Sequence, residues 1–181
     1  MGLLPTHPVN LLKAIFFMIK SYFETEKRAA SIFLAFGIVA CSIASAFFIS
    51  AKPPFYMGLA LAFGAIGIYE IIVGVGLVRN SDFQAIDMQK LLGADPQEFR
   101  RQESERLEKL LHNMRYYKIF GGFLLLTGFF LITFHKTENF WQGLGCSLEI
   151  QGVAINMFYF LTERRAKKYA AYVDDLVQEG K

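Results

Sequence analysis

The chain has 181 residues, a formal net charge of +3, and 54% hydrophobic residues against 19% charged. A soluble domain is about 45–50% apolar; here the excess is gathered into four blocks, 29–51, 53–78, 116–134 and 139–162, which leaves little chain for a separate soluble domain. The two cysteines, Cys41 and Cys146, lie inside apolar blocks and offer no disulfide framework or zinc spacing, and there is no nucleotide loop, nucleophile elbow or zincin motif.

Residues 1–28 precede the first block. Met1-Gly2-Leu3-Leu4-Pro5-Thr6 fits the short N-myristoylation pattern, which matches often by chance. A basic n-region followed by an h-region and a small-residue cleavage site is missing, so no cleavable leader is expected. Over 8–24, Leu11, Leu12, Ile15, Phe16, Ile19 and Phe23 recur with helical period, opposite Lys13 and Lys20. The stretch is too short to cross a bilayer comfortably and predicts an amphipathic helix in the cytoplasmic interface. The alternative is a helix packed on the cytoplasmic part of the protein.

Residues 29–79 read as a first transmembrane hairpin. The first span carries no charge and many small residues, among them Gly37, Ala40, Ala44 and Ala46, which let helices approach closely in lipid. Pro53-Pro54 turns the chain. The second span, 54–79, is apolar for more than the 20 or so residues a bilayer requires, except for Glu70. Phe55 and Tyr56 suit an aromatic belt, and Arg79 closes the other end.

Residues 80–115 form the one sizeable polar segment. Ser81 or Asp82 can cap a short helix carrying Phe83, Ile86 and Leu91 and ending at Gly93. Asp95, Pro96 and Glu98 make a second start signal: cap, proline at the first helical position, acid in the first turn. No breaker follows, so this helix is expected to run through Leu107, Leu110, Leu111 and Met114 into the third span. Residues 116–162 then read as a second hairpin with a short loop at 135–139, and 163–181 as a cytoplasmic helix whose apolar face holds Ala166, Tyr169, Val173 and Leu176.

Of the 19 Lys and Arg residues, all but Lys52 and Lys136 fall before block one, between blocks two and three or at the very start of block three (Lys118), or after block four. The positive-inside rule then puts both termini and the central segment in the cytoplasm. The expected setting is an integral membrane protein of the bacterial inner membrane. Basic residues bracketing apolar spans favour this topology over a nucleic-acid surface, so the partners expected are the lipid bilayer and other membrane subunits or further copies of the chain, with no nucleic acid.

The halves resemble each other. Ile32-Phe33-x-x-Phe36 answers Ile119-Phe120-x-x-Phe123, and Phe55-x-x-Gly58-Leu59 answers Phe140-x-x-Gly143-Leu144. The offset is 87 in the first span and 85 afterwards, a possible parallel repeat about an axis along the membrane normal.

Glu70 and Glu149 are the candidate site. A carboxylate at mid-bilayer costs about 2.5–3.5 kcal/mol on insertion scales and so faces the bundle or a cavity. Gly67 and Gly74 share the helix face of Glu70; Gly145 and Gly152 share that of Glu149, as does Asn156, with Gln151 and Ser147 close by. One reading is a proton or cation site. The favoured one is interhelical glue, with each acid hydrogen-bonded to Asn156, Gln151, Tyr69 or a partner subunit. The acids do not align in the repeat, which weakens a symmetric ion site. Arg106-x5-His112 resembles the spaced Arg/His pairs of some RNA-cleaving helical domains; a solvated helix face is the simpler reading. No metal, cofactor or catalytic residue is assigned.

The expected fold is therefore all-α, with four transmembrane helices as two hairpins plus amphipathic cytoplasmic helices. The expected function is non-enzymatic: an accessory, assembly or regulatory subunit of a membrane complex. The alternatives are a proton or cation channel or carrier using Glu70 and Glu149, and an immunity-type protein against a pore-forming toxin.

Overall fold

A computed structural model describes residues 8–50, 53–135 and 139–178, with side chains described for 15–50, 53–135 and 139–173. The acylation pattern, His7, Lys52 and Lys136 lie outside the described residues, as do the side chains of Leu11, Leu12, Lys13, Leu176 and Val177. Four α-helices follow in order: α1 (Pro8–Ile49), α2 (Pro54–Ala94), α3 (Pro96–Phe134) and α4 (Asn139–Gln178). All four are long and apolar enough to cross a membrane.

Each helix has about 40 residues, so each is about 60 Å long, twice the roughly 30 Å of a hydrocarbon core. Two expected breaks are absent. Residues 8–24 are the first part of α1 and not a separate helix, since Thr25, Glu26, Lys27 and Arg28 contain no breaker, and Ile15, Ile19 and Phe23 join a packed core. Likewise α2 runs through residues 79–82 without a cap. The Ser81 hydroxyl donates back to the Leu77 carbonyl of its own helix, and Asp82 accepts from Lys27 of α1 at 2.7 Å. The start at Asp95 is as expected. Its carboxylate accepts from the backbone N–H groups of Gln97 and Glu98, at 2.9 and 3.1 Å, and Pro96 opens α3. One residue thus caps α3 and ends α2, where its own N–H donates to the Leu91 carbonyl. From Pro96, α3 continues unbroken to Phe134, as its uninterrupted pattern predicts.

α1 pairs with α2 and α3 with α4. The hairpins meet mainly through α2 and α4, which run parallel at the centre, while α1 and α3 flank them. At the end holding both termini and the Asp95 turn, Ile19, Phe23, Leu92, Phe99, Leu107, Tyr169 and Val173 form a conventional apolar core from all four helices. Toward the two interhelix loops the pattern inverts. Ile32, Ile49, Ile72, Leu126, Phe129 and Phe134 are bare on the outside, while Glu70, Ser147 and Gln151 are fully buried. Apolar surface on this scale does not stay in water without a covering phase or partner.

The parallel α2/α4 pair is closest at its loop end. A Cβ on Gly58 would run into the Phe140 carbonyl and the Leu144 nitrogen; one on Gly143 would run into the Phe55 carbonyl and the Leu59 nitrogen. Each glycine therefore admits the other helix's backbone. Within the hairpins, Gly67 faces Gly37, Ala40 and Cys41, Gly74 faces Leu34, Gly145 faces Gly128 and Ile132, and Gly152 faces Gly121 and Leu125.

Candidate functional site

Polar side chains are buried at two levels of the bundle. The inner level centres on Glu70, where α2 meets both α1 and α4. Its Cβ lies over Gly37 of α1, which has no side chain to push it away. Its carboxyl faces Gln151 of α4, and both side chains are fully buried. Gln151 is close enough to act on Glu70, yet no pair of their atoms meets hydrogen-bond geometry, and both Glu70 oxygens are without a partner among the described residues. Tyr69, next to Glu70, turns to α4 instead. Its hydroxyl lies 3.4 Å from that of Tyr159, which stacks on Tyr117 of α3 at 4.6 Å between ring centroids.

The other predicted site residues do not join this group. Glu149 is half-buried against Gly128 of α3. Two residues along a helix turn the side chain by about 200°, so α4 shows Gln151 to α2 and Glu149 to α3. The two acids therefore occupy different helix interfaces. Asn156 packs on Gly121 and donates to the Gly152 carbonyl of its own helix at 2.9 Å. Ser147 is buried and donates to the Leu144 carbonyl at 3.3 Å. Gly67, Gly74, Gly145 and Gly152 bring the helices of each hairpin together. Of the expected partners for Glu70, only Gln151 faces it.

The second level lies nearer the termini and draws on all four helices. Glu103 of α3 is fully buried and accepts two hydrogen bonds from Arg106, at 2.7 and 2.8 Å. Arg106 also donates to Gln84 of α2 at 3.3 Å, and its guanidinium lies 4.9 Å above the Phe23 ring and 5.8 Å from the Tyr22 ring of α1. Tyr22 stacks on Tyr169 of α4 at 4.1 Å. One Glu26 oxygen and both of those tyrosine hydroxyls are buried without meeting hydrogen-bond geometry, although Arg106 and Glu103 are close. Burial holds the Glu26 carboxyl above its ordinary range; Arg106 opposes the rise and Glu103 adds to it. Burial likewise raises Tyr22 and Tyr169, so both stay neutral phenols.

This level corrects the simpler reading of Arg106 as part of a solvated helix face, and it does not bring Arg106 to His112 either. The Arg106 side chain is 17% exposed and its donors are engaged. His112 is exposed and meets Tyr116 edge-on at 5.2 Å. Six residues of helix turn the side chain by about 240°, so the two residues do not converge.

Register could have found the cluster. Phe99, Glu103 and Leu107 stand four apart, which places the acid in an apolar stripe, and Arg106 follows Glu103 by three. Tyr22 and Glu26 bracket Phe23 in the same way.

Among the described residues, no group of three or more His, Cys, Asp or Glu side chains is placed to hold a metal ion. The polar levels can hold helices in register; none of the clefts described for this bundle is lined by Glu70 or Glu149. No protein-family model, no curated protein sequence and no solved structure matches the chain.

Proposed function

We propose that the chain is a multi-pass membrane protein acting as a non-enzymatic accessory, assembly or regulatory subunit of a membrane complex. Its loop-side half spans the bilayer, and its other half stands in the cytoplasm. The observation that carries the reading is the continuation of all four spans into a packed four-helix bundle of similar length. Such an extension is a rigid platform for a partner, presented at the membrane by helices that need no further support. The exposed charges of α3, including the Arg101–Glu98 and Arg101–Glu105 pairs, give it a polar outer face. Purification in mild detergent from native membranes, followed by identification of stoichiometric companions, tests the assignment. A companion protein or a defined homo-oligomer is expected; a lone monomer overturns it.

The internal polar level favours glue over conduction. Glu70 is fully buried among α1, α2 and α4, with its carboxyl toward Gln151. Glu70→Gln and Glu149→Gln are expected to keep fold and assembly. The second reading, a proton or cation pathway, draws on the two unpartnered Glu70 oxygens. Reconstitution into liposomes with a pH-sensitive dye separates the two: flux that Glu70→Gln abolishes while the complex still forms would establish the pathway.

We also read the halves as a duplicated hairpin. The reciprocal insertion of Gly58 at Phe140 and Gly143 at Phe55 supports this, because these residues are equivalent at the offset of 85. In the same frame Cys41 over Gly64 corresponds to Gly128 under Glu149. Small and large residues have changed places across one crossing, which gives a reason why Glu149 has no counterpart acid in the first half.

A further inference from the structure

α1 and α4 pack sparsely against each other and leave a cleft between them. Its inner part has a volume of about 470 Å³ and is walled by Ile32, Phe36, Ala154, Met157 and Leu161. Its outer part, about 270 Å³, is lined by Phe17, Met18, Tyr22 and Lys168, and has Glu26 in its wall. Thr25, Ala29 and Arg165 line both parts, so they form one groove. The inner walls are open: Ile32 is 71% exposed and Met157 62%. Cations stand at the junction and outer end, where Arg28 and Lys168 are exposed and Arg165 is half-buried. Several nearby cations are matched: Lys27 pairs with Asp82, Arg106 with Glu103, and Lys118 and Lys167 with Glu163. Among the described residues Arg28, Arg165 and Lys168 make no ion pair. Glu26 is the one carboxylate in the groove wall, and burial disfavours its charge.

In the bilayer reading the apolar slot faces lipid and Arg28, Arg165 and Lys168 stand near headgroup depth, an arrangement that complements an amphiphile with an anionic head. We propose that this groove seats one anionic phospholipid of the cytoplasmic leaflet, its phosphate between Arg28, Arg165 and Lys168 and an acyl chain along Ile32, Phe36 and Met157. Basic pockets between helices on the cytoplasmic side are suited to such headgroups, each cation near the surface contributing about a fivefold gain in affinity. The lipid would cover the one helix pair on the rim that the protein packs least, α1 against α4.

This inference rests on the bilayer reading above, and the two can fail separately. The full chain in neutral detergent is titrated with phosphatidylglycerol, with phosphatidylcholine and with inorganic phosphate, and bound lipid is counted by native mass spectrometry. Phosphatidylglycerol is expected to bind saturably with one molecule per chain, phosphatidylcholine weakly, and free phosphate not measurably. Arg165→Gln combined with Lys168→Gln should weaken phosphatidylglycerol by about 30-fold. Arg79→Gln, which removes an exposed cation of α2 away from the groove, should leave it unchanged. Ala154→Phe, which fills the acyl wall and keeps every charge, should also displace the lipid. Equal binding of the two lipids overturns the proposal, as does an equal loss in Arg79→Gln. Should the double variant misfold, Ala154→Phe and the lipid preference of the unaltered chain decide. Recovery of the chain from detergent-free solution removes the bilayer reading itself; a detergent-requiring chain indifferent to headgroup charge removes this inference alone.

Discussion

Glu103 sits where an apolar residue belongs by register, and Arg106 answers it with a two-pronged hydrogen bond inside the bundle. Removing one member of a buried pair leaves the other charge without compensation. Arg106→Met is therefore expected to cost about 3 kcal/mol, the low end for buried pairs because Arg106 keeps some exposure. Replacing both, Glu103→Gln with Arg106→Met, should recover most of that loss, since exchanging a buried pair for packed neutral groups is often close to neutral. Thermal melts of the four proteins of this cycle in one detergent read the coupling. Glu26 behaves differently because nothing neutralises it fully. Its folded pKa is raised, so its contribution to stability is complete below the unfolded value of about 4.3 and is lost as pH rises through the folded value. Glu26→Gln should then melt higher than the parent near neutral pH, and the gap should close as pH falls toward 4. A gap that widens on acidification would contradict the burial account.

Individual helices are legible by their breakers, and the helix pairs by their glycines. Asp95 is the sole residue between two helices of about 40 residues each, so its cap fixes where the long rods turn. Asp95→Ala should cost about 1 kcal/mol, read as an earlier thermal transition. The α2/α4 crossing is stricter. A methyl on Gly58 or Gly143 meets the backbone of the other helix and not a flexible side-chain end, so the helices must separate. Gly58→Ala and Gly143→Ala are each expected to destabilise by about 2 kcal/mol or more, the upper part of the overpacking range. Gly76→Ala and Gly122→Ala are the internal controls. A methyl there meets nothing within 4 Å, so helix propensity alone acts and stability should hold or rise by up to about 1 kcal/mol. Resistance to unfolding in a denaturing detergent series ranks all four.

Across the whole molecule, the loop-side half is apolar outside with acid and amide groups inside, and the opposite half has a conventional core. Such a body fits a boundary between two solvents. In a topology experiment, reporters joined at the Asp95 turn and at the C-terminus should be active only in the cytoplasmic format, and reporters inserted at 51–52 and 136–138 only in the external one. The reverse pattern would move the packed bundle, and any partner that uses it, to the other side. The four apolar blocks, the caps and the breakers alone determined that the protein is an all-helical bundle with four helices long enough to cross a membrane, because apolar periodicity and proline placement act locally. Proximity in sequence also made Glu70 conspicuous, since one charge in an apolar run of that length is visible without coordinates. Which helix each acid faces was decided only by tertiary packing: Glu70 turns to Gln151 and Gly37, while Glu149 turns to Gly128. The same holds for the level of Glu103, Arg106, Gln84, Tyr22 and Tyr169, whose members come from all four helices and lie up to 147 positions apart in the chain. Partner choice across helices depends on the rotation and offset of whole rods, and those are set by the sum of the glycine contacts and core side chains along the bundle.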